Sequence, residues 1–142
     1  MTENEYKAVD PQTLPAQSFS WGATKWLVAP SITPGANMSF GEVALLPGMG
    51  HDRHNHPESE EILYVLSGEG LQMVGDEEPF PVRAGDTIYV PLGVFHSTMN
   101  TGWAPLRLLA IYNPGGPEKD LEGLPDFQEV AAGKAPGWTR SS

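Results

Sequence analysis

The amino-acid sequence predicts an all-β protein, a sandwich or a barrel, and two observations support this prediction. Short apolar runs recur at close, regular spacing, with turn-forming residues between them, and the 142 residues include 16 glycines and 14 prolines. Almost no stretch shows helical periodicity. Many short strands separated by turns are typical of all-β sandwiches and barrels. A chain of this length is expected to form one domain.

The elements can be assigned in chain order. Residues 1–20 are polar and carry Pro11 and Pro15, so we expect an arm over the surface. The predicted strands are residues 25–29, 38–46, 62–66, 70–74, 80–83, 87–90, 96–100 and 106–112. A short helix is expected at 118–122 or at 127–132. The predicted organisation is therefore an N-terminal arm (1–20), a β-barrel domain (21–115) and a C-terminal tail (116–142).

The stretch from Gly48 to Gly68 holds the most informative residues. His54 and His56 are two residues apart, so in an extended strand both imidazoles point to the same face. Residues 57–59 form a predicted turn, and the next strand can return beside the first, bringing Glu61 close. Imidazoles and a carboxylate are suitable ligands for a transition metal. This stretch therefore predicts three ligands of a metal site.

A fourth ligand should come from elsewhere in the chain. Gly85–Asp86 begins a predicted strand, residues 91–93 turn the chain, and His96 starts the next strand. We therefore expect His96 to be the fourth metal ligand.

Together the two stretches resemble the paired motifs of the cupin superfamily. The first motif is G-x5-H-x-H-x3or4-E-x6-G, and the second is G-x5-P-x-G-x2-H-x3-N. All ten fixed positions are present at permitted spacings: Gly48, His54, His56, Glu61 and Gly68 in the first, and Gly85, Pro91, Gly93, His96 and Asn100 in the second. The resemblance implies a double-stranded β-helix (jelly-roll) barrel, here with a short C-terminal helical or irregular tail. It also implies a metal held by His54, His56, Glu61 and His96.

Neighbouring residues leave alternatives open. The spacing to Gly68 selects Glu61 over Glu60, which is expected in solvent. His51 is out of phase with His54 in a regular strand, so we expect it at the surface. Asp52 is in phase with His54 and either supports a histidine or is exposed.

Other strand residues are candidates to line a pocket or to belong to the plain core: Phe40, Met73, Phe95, Leu108 and Tyr112. Glu42 and Arg107 either enter the cavity or form an ion pair at an edge or interface, and Asn100 is expected to bond local backbone.

The predicted site is compatible with several kinds of chemistry. The leading hypothesis is a metal-dependent enzyme acting on a small oxygenated organic molecule, with dioxygenase-type chemistry. The alternatives are a non-redox isomerase, lyase or decarboxylase, and a metal- or ligand-binding module without turnover. Iron, manganese, nickel and zinc all suit such ligands, and iron or manganese is favoured for oxygen chemistry because zinc has no redox function. Fold alone does not decide between these functions.

Charge and composition exclude several other roles. The formal net charge of −10, from 18 acidic and 8 basic residues, argues against a nucleic-acid or anionic-membrane partner. There is no cysteine, so disulfides and thiolate ligands are excluded. No secretory signal or membrane-spanning apolar run is recognisable, so we expect a soluble cytoplasmic protein.

A homodimer is expected as well. The side chains of Ile62, Tyr64 and Leu66 are apolar and are expected to point away from the metal site. Trp21 and Trp26 could cover a neighbouring sheet edge that would otherwise stay open.

Overall fold

The computed structural model describes residues 8–137, which form two antiparallel sheets facing each other across one core. The strands are β1 (Ala16–Phe19), β2 (Gly22–Val28), β3 (Ser39–Leu45), β4 (Glu60–Ser67), β5 (Glu69–Val74), β6 (Phe80–Arg83), β7 (Thr87–Val90), β8 (His96–Asn100), β9 (Leu106–Asn113) and β10 (Gln128–Val130). The larger sheet has the order β10-β1-β2-β3-β9-β4-β7, and the smaller one the order β6-β5-β8. Short 3-10 helices span Pro11–Thr13 and Pro117–Gly123. The predicted all-β jelly-roll class is confirmed.

The core forms because alternate side chains of the strands point between the two sheets. Leu63 and Val65 of β4 are buried, whereas Ile62 and Tyr64 face outward, as the alternation predicts. The same buried cluster joins both sheets, since Val82 of β6 packs with residues of the larger sheet. The interior therefore holds an apolar cluster, and the side chains of His56 and His96 are buried as well.

Strand predictions for the central part of the chain agree closely with the structure. Residues 80–83, 87–90 and 96–100 have the predicted bounds, and the remaining predicted strands differ by a few residues at their ends. The helix prediction at 118–122 corresponds to the 3-10 helix Pro117–Gly123. The alternative helix at 127–132 is wrong. Residues 128–130 instead form β10, because their backbone pairs with the edge strand β1.

Both chain ends contribute to the larger sheet. β1 lies in the predicted arm and β10 in the predicted tail, and they pair with each other in antiparallel register. Phe19 at the end of β1 is buried and stacks on Trp21, with ring centroids 4.5 Å apart. Trp26 is also buried and packs against Tyr112 in its own core. The expectation that Trp26 covers a neighbouring edge is therefore wrong, because this side chain is already enclosed.

The four glycines of the two motifs have a backbone conformation that is typical of turns. Gly48, Gly68, Gly85 and Gly93 all have positive φ, between 75° and 94°. At Gly68 the constraint is twofold, because a Cβ there would also lie 2.9 Å from the Pro105 carbonyl oxygen. Within residues 8–137, no helix is long and apolar enough to cross a membrane.

Candidate metal centre

The first part of the first motif lies beside β8 and brings two histidines together. Gly50 forms a bridge with Met99, and His54 forms one with His96. His54 N donates to the carbonyl of His96 at 3.0 Å, and His96 N donates to that of His54 at 2.8 Å. This reciprocal pair holds the two side chains next to each other, with ring centroids 4.3 Å apart.

Glu61 reaches the same place from the larger sheet. It lies on β4 with Val90 of β7 and Tyr112 of β9 as cross-strand partners, and its side chain is buried. Its Oε1 is 2.8 Å from Nε2 of His96 and 3.7 Å from Nε2 of His56. The structure therefore brings together all four residues of the predicted ligand set.

Backbone carbonyls fix the orientation of two of the imidazoles. Nδ1 of His54 is 2.7 Å from the Asp52 carbonyl oxygen, and Nδ1 of His96 is 3.0 Å from that of Val94. A carbonyl only accepts, so Nδ1 carries the proton in each ring, and Nε2 presents its lone pair to the interior. This arrangement, with one nitrogen donating to an acceptor, is typical of metal-bound histidines.

Several buried polar atoms at this centre have no hydrogen-bond partner. They are both ring nitrogens of His56 and Oε1 of Glu61. His96 Nε2 lies 2.8 Å from Glu61 Oε1, so this carboxylate faces His96 as well as His56. Leaving such atoms unsatisfied is costly, whereas a cation between His56 and Glu61 would satisfy one ring nitrogen and the carboxylate oxygen. The residues therefore fit a metal ion.

The three histidines could hold such an ion. Each offers one nitrogen, and these atoms lie within 4.8 Å of one another. Burial lowers the pKa of His54 and of His56, which favours the neutral imidazole that metals bind. Burial also acts on His96, but the adjacent Glu61 carboxylate outweighs it and raises the pKa of His96. The centre is therefore a cluster of imidazoles next to one carboxylate.

Tyr112 connects this centre to a second buried carboxylate. Burial, followed by the nearby carboxylates of Glu61 and Glu118, raises the pKa of Tyr112 well above its ordinary value. Its ring also packs on that of His56, with centroids 4.9 Å apart. Glu118 accepts from the Ser39 hydroxyl at 2.5 Å and from Gly116 N at 2.9 Å. The 3-10 helix Pro117–Gly123 thus closes this side of the centre.

A small cavity of about 20 Å³ opens beside His54, Glu61 and His96. That volume is sufficient for roughly one water-sized group. Its lining consists of Val43, His51, His54, Glu61, Leu63, His96, Thr98, Leu108, Ala110 and Tyr112. Of the predicted pocket residues, Leu108 and Tyr112 lie in this lining, whereas Phe40, Met73 and Phe95 do not. Phe95 is exposed instead, and the guanidinium of Arg53 covers its ring.

His51 is a correction to the sequence prediction, because it faces the cavity and not the surface. Between the bridges Gly50–Met99 and His54–His96, this segment advances four residues while β8 advances three. The extra residue is a local bulge, which reverses the alternation of side chains. His51 therefore shares a face with His54, and burial lowers the pKa of His51 to about 3. Sequence periodicity does not predict this bulge, which becomes visible only from the pairing with β8.

The other charged candidates lie outside the cavity. Asp52 is exposed, and only its carbonyl oxygen reaches His54. Arg107 Nε donates to Glu42 Oε1 at 2.6 Å on the outer face of the larger sheet, so the two residues form an ion pair. The pair joins the central strands β3 and β9 and does not lie at a sheet edge. Asn100 donates to the carbonyls of Leu45 and Ala104, as expected for a structural residue.

Two facing sheets with a histidine cluster between them define a double-stranded β-helix protein with a candidate metal centre. Comparison with known families agrees, since a profile described as "Cupin domain" matches residues 41–112. The chain belongs to the cupin family.

Individual relatives cover most of the chain. It is 34% identical over 131 residues to the protein SchB of Streptomyces halstedii, spanning 92% of this chain and 93% of that one. It is 31% identical to the polyketide synthase CurC of Streptomyces cyaneus, spanning 81% of this chain and 74% of that one. Among solved structures, a predicted oxalate decarboxylase of Thermotoga maritima superposes with a TM-score of 0.65 at 26% identity, covering 76% of this chain and 99% of that chain.

Proposed function

We propose that this cupin is a metal-dependent enzyme that acts on a small oxygenated organic substrate. His54, His56, Glu61 and His96 hold one divalent transition metal. The observation that carries this assignment is the grouping of three imidazole nitrogens within 4.8 Å of one another, with the buried Glu61 Oε1 only 2.8 Å from Nε2 of His96. When bound, such a metal supplies Lewis-acid polarisation of a substrate oxygen and, with iron or manganese, redox chemistry with dioxygen. Dioxygenase-type chemistry is the leading reaction class.

The cavity walls favour one kind of substrate. Val43, Leu63, Leu108 and Ala110 make much of the wall apolar, and no lysine or arginine is among the described lining residues. A dianion such as oxalate would therefore meet no fixed cation other than the metal. A neutral or singly charged molecule that offers a carbonyl, enol or phenol oxygen suits the site better. The similarity to CurC, a polyketide synthase by name, is in keeping with such substrates.

A non-redox reaction is the second candidate. The structural likeness to a predicted oxalate decarboxylase favours decarboxylase, lyase or isomerase chemistry at the same four residues. The third candidate is a binding module without turnover. In all three cases the four residues hold the metal, and the cavity, which has room for roughly one water-sized group, takes the metal-binding atom of the ligand.

Reconstitution of the apo-protein with different metals tests the proposal. Iron, manganese, nickel and zinc are added separately, with and without oxygen, and turnover is followed with β-diketones, phenols and oxalate. We expect turnover that needs oxygen, fails with zinc, and is greater with diketones or phenols than with oxalate. Equal turnover with zinc and no oxygen uptake would overturn the dioxygenase assignment in favour of the non-redox one. Preference for oxalate would contradict the substrate class.

A further inference from the structure

His51 is the lining residue whose hydrogen-bonding capacity the candidate centre does not use. Its Nε2 is buried and has no partner. The other polar lining residues have defined contacts. His54, Glu61 and His96 are placed as metal ligands, the Thr98 hydroxyl donates to Gln72 at 2.5 Å, and Tyr112 lies against Glu61. Among the described lining residues, His51 is thus the polar side chain left to contact a ligand.

The position of His51 is well defined by its neighbours. Its backbone N–H donates to the carbonyl of Thr98 at 3.1 Å, which anchors the segment to β8. The Trp21 ring meets the imidazole edge-on, with centroids 4.3 Å apart and planes at 82°. The imidazole also lies beside that of His54, with centroids 5.6 Å apart, yet it is outside the three-histidine group. The ring is therefore held next to the centre without belonging to it.

We propose that His51 contacts the substrate directly, through a hydrogen bond between its Nε2 and an oxygen of the molecule that occupies the open metal position. This proposal rests on the proposed function. A buried polar atom without a partner is costly, so a ligand that supplies the missing partner is bound more tightly than one that does not. His51 would then select for ligands that carry a second polar atom close to the metal-binding one.

The bulge before His54 gives this role a structural basis. In a regular strand the side chain at position 51 would face away from the interior, and the cavity wall at this point would have no imidazole. The extra residue turns His51 inward and leaves Asp52 exposed. Bulges next to active sites commonly redirect a side chain in this way.

Ligand titration of cobalt-loaded protein tests the role of His51 apart from activity. The probe is acetylacetone, a β-diketone, and its binding is followed by the visible absorption of Co²⁺. The variants are His51→Phe, which keeps the ring shape, and His51→Gln, which keeps polar atoms. Asp52→Asn is the matched control. We expect full cobalt content in all of them, a Kd about fivefold to tenfold weaker in His51→Phe, partial recovery in His51→Gln, and no change in Asp52→Asn.

Each other outcome has a distinct meaning. If His51→Phe binds acetylacetone like the wild type, the proposal is overturned while the proposed function stands. If both His51 variants lose cobalt, His51 is part of the metal site and the proposal is also overturned. If wild-type cobalt protein does not bind the diketone at all, the proposed function fails and this inference fails with it.

Discussion

At the scale of single residues, Tyr112 packs against two of the four candidate metal ligands, Glu61 and His56. Its hydroxyl lies against Glu61, its ring packs on His56, and it is buried between them and Trp26. Mutation of a group that orients a metal ligand commonly lowers metal affinity. We therefore expect Tyr112 to be a positioning residue that acts through Glu61 and His56.

We predict that Tyr112→Phe weakens metal binding by about 10-fold to 100-fold, because the Glu61 carboxylate loses a neighbouring donor. Competition with a chelator of known affinity measures the change. Tyr64→Phe is the control, since Tyr64 lies on the outer face of the same sheet. An unchanged metal affinity in Tyr112→Phe would show that the hydroxyl does not orient Glu61.

Individual residues also show how far the sequence could lead. The spacing of His54, His56, Glu61 and His96 was sufficient to predict which side chains the structure brings together. His51 was not predictable, because its direction depends on a bulge that only the pairing with β8 reveals. The surroundings of Tyr112 were equally hidden, because the sequence pattern does not show that the 3-10 helix Pro117–Gly123 folds back to place Glu118 near Tyr112.

At the scale of elements, the C-terminal segment is attached to the β1–β2 turn. Asp126 accepts hydrogen bonds from Ser20 N at 2.7 Å and from Ser20 Oγ at 2.6 Å. Phe127 packs on Phe19 of β1, with ring centroids 5.9 Å apart. Because β10 follows directly, these contacts determine where the chain end joins the sheet.

We predict that the contribution of Asp126 to stability depends on pH. The two bonds from Ser20 lower the pKa of Asp126 in the folded protein, so the carboxylate stabilises the fold above its unfolded pKa of about 3.9. This stabilisation is lost as the pH falls through the lower pKa that Asp126 has in the folded protein. The difference in Tm between wild type and Asp126→Asn should therefore be constant at neutral pH and should narrow below about pH 4.

An exposed carboxylate nearby provides the control for this prediction. Glu129→Gln changes the net charge by the same amount but removes no contact with the β1–β2 turn. If the difference in Tm from wild type narrows equally for both variants toward low pH, overall charge explains the effect and the Ser20 contact does not.

Element prediction succeeded where turn residues bounded apolar runs, as in β6 to β8. It failed for β10, whose three residues are mostly exposed and have no alternating apolar pattern. This strand exists because the edge of β1 offers unpaired backbone groups. A local pattern does not record a partner that lies more than 100 residues away.

At the scale of the whole molecule, the larger sheet carries a row of apolar side chains on its outer face. Ile62 is 37% exposed, Tyr64 40% and Tyr89 54%. Ile62 is paired with Tyr89 on one side and with Ile111 on the other, and Ile111 is paired with Phe40, so the apolar side chains form a row across four strands. Exposed apolar rows of this kind commonly mark interfaces.

We predict a homodimer formed through this face. Light scattering should give about twice the chain mass of 15.4 kDa, and Ile62→Lys should shift the protein toward the monomer by placing a charge in the row. Leu92→Lys is the control, because Leu92 is exposed in the turn after β7. A wild-type protein that stays a clean monomer across a wide concentration range would disprove the dimer.

The most direct test of the whole account is the metal content of the purified protein. Elemental analysis of wild type should give one divalent transition metal per chain, and the His54→Ala/His96→Ala double variant should carry almost none. His51→Phe serves as the matched histidine control and should keep the full content. A folded double variant that still holds stoichiometric metal would contradict the assignment of the centre to His54, His56, Glu61 and His96.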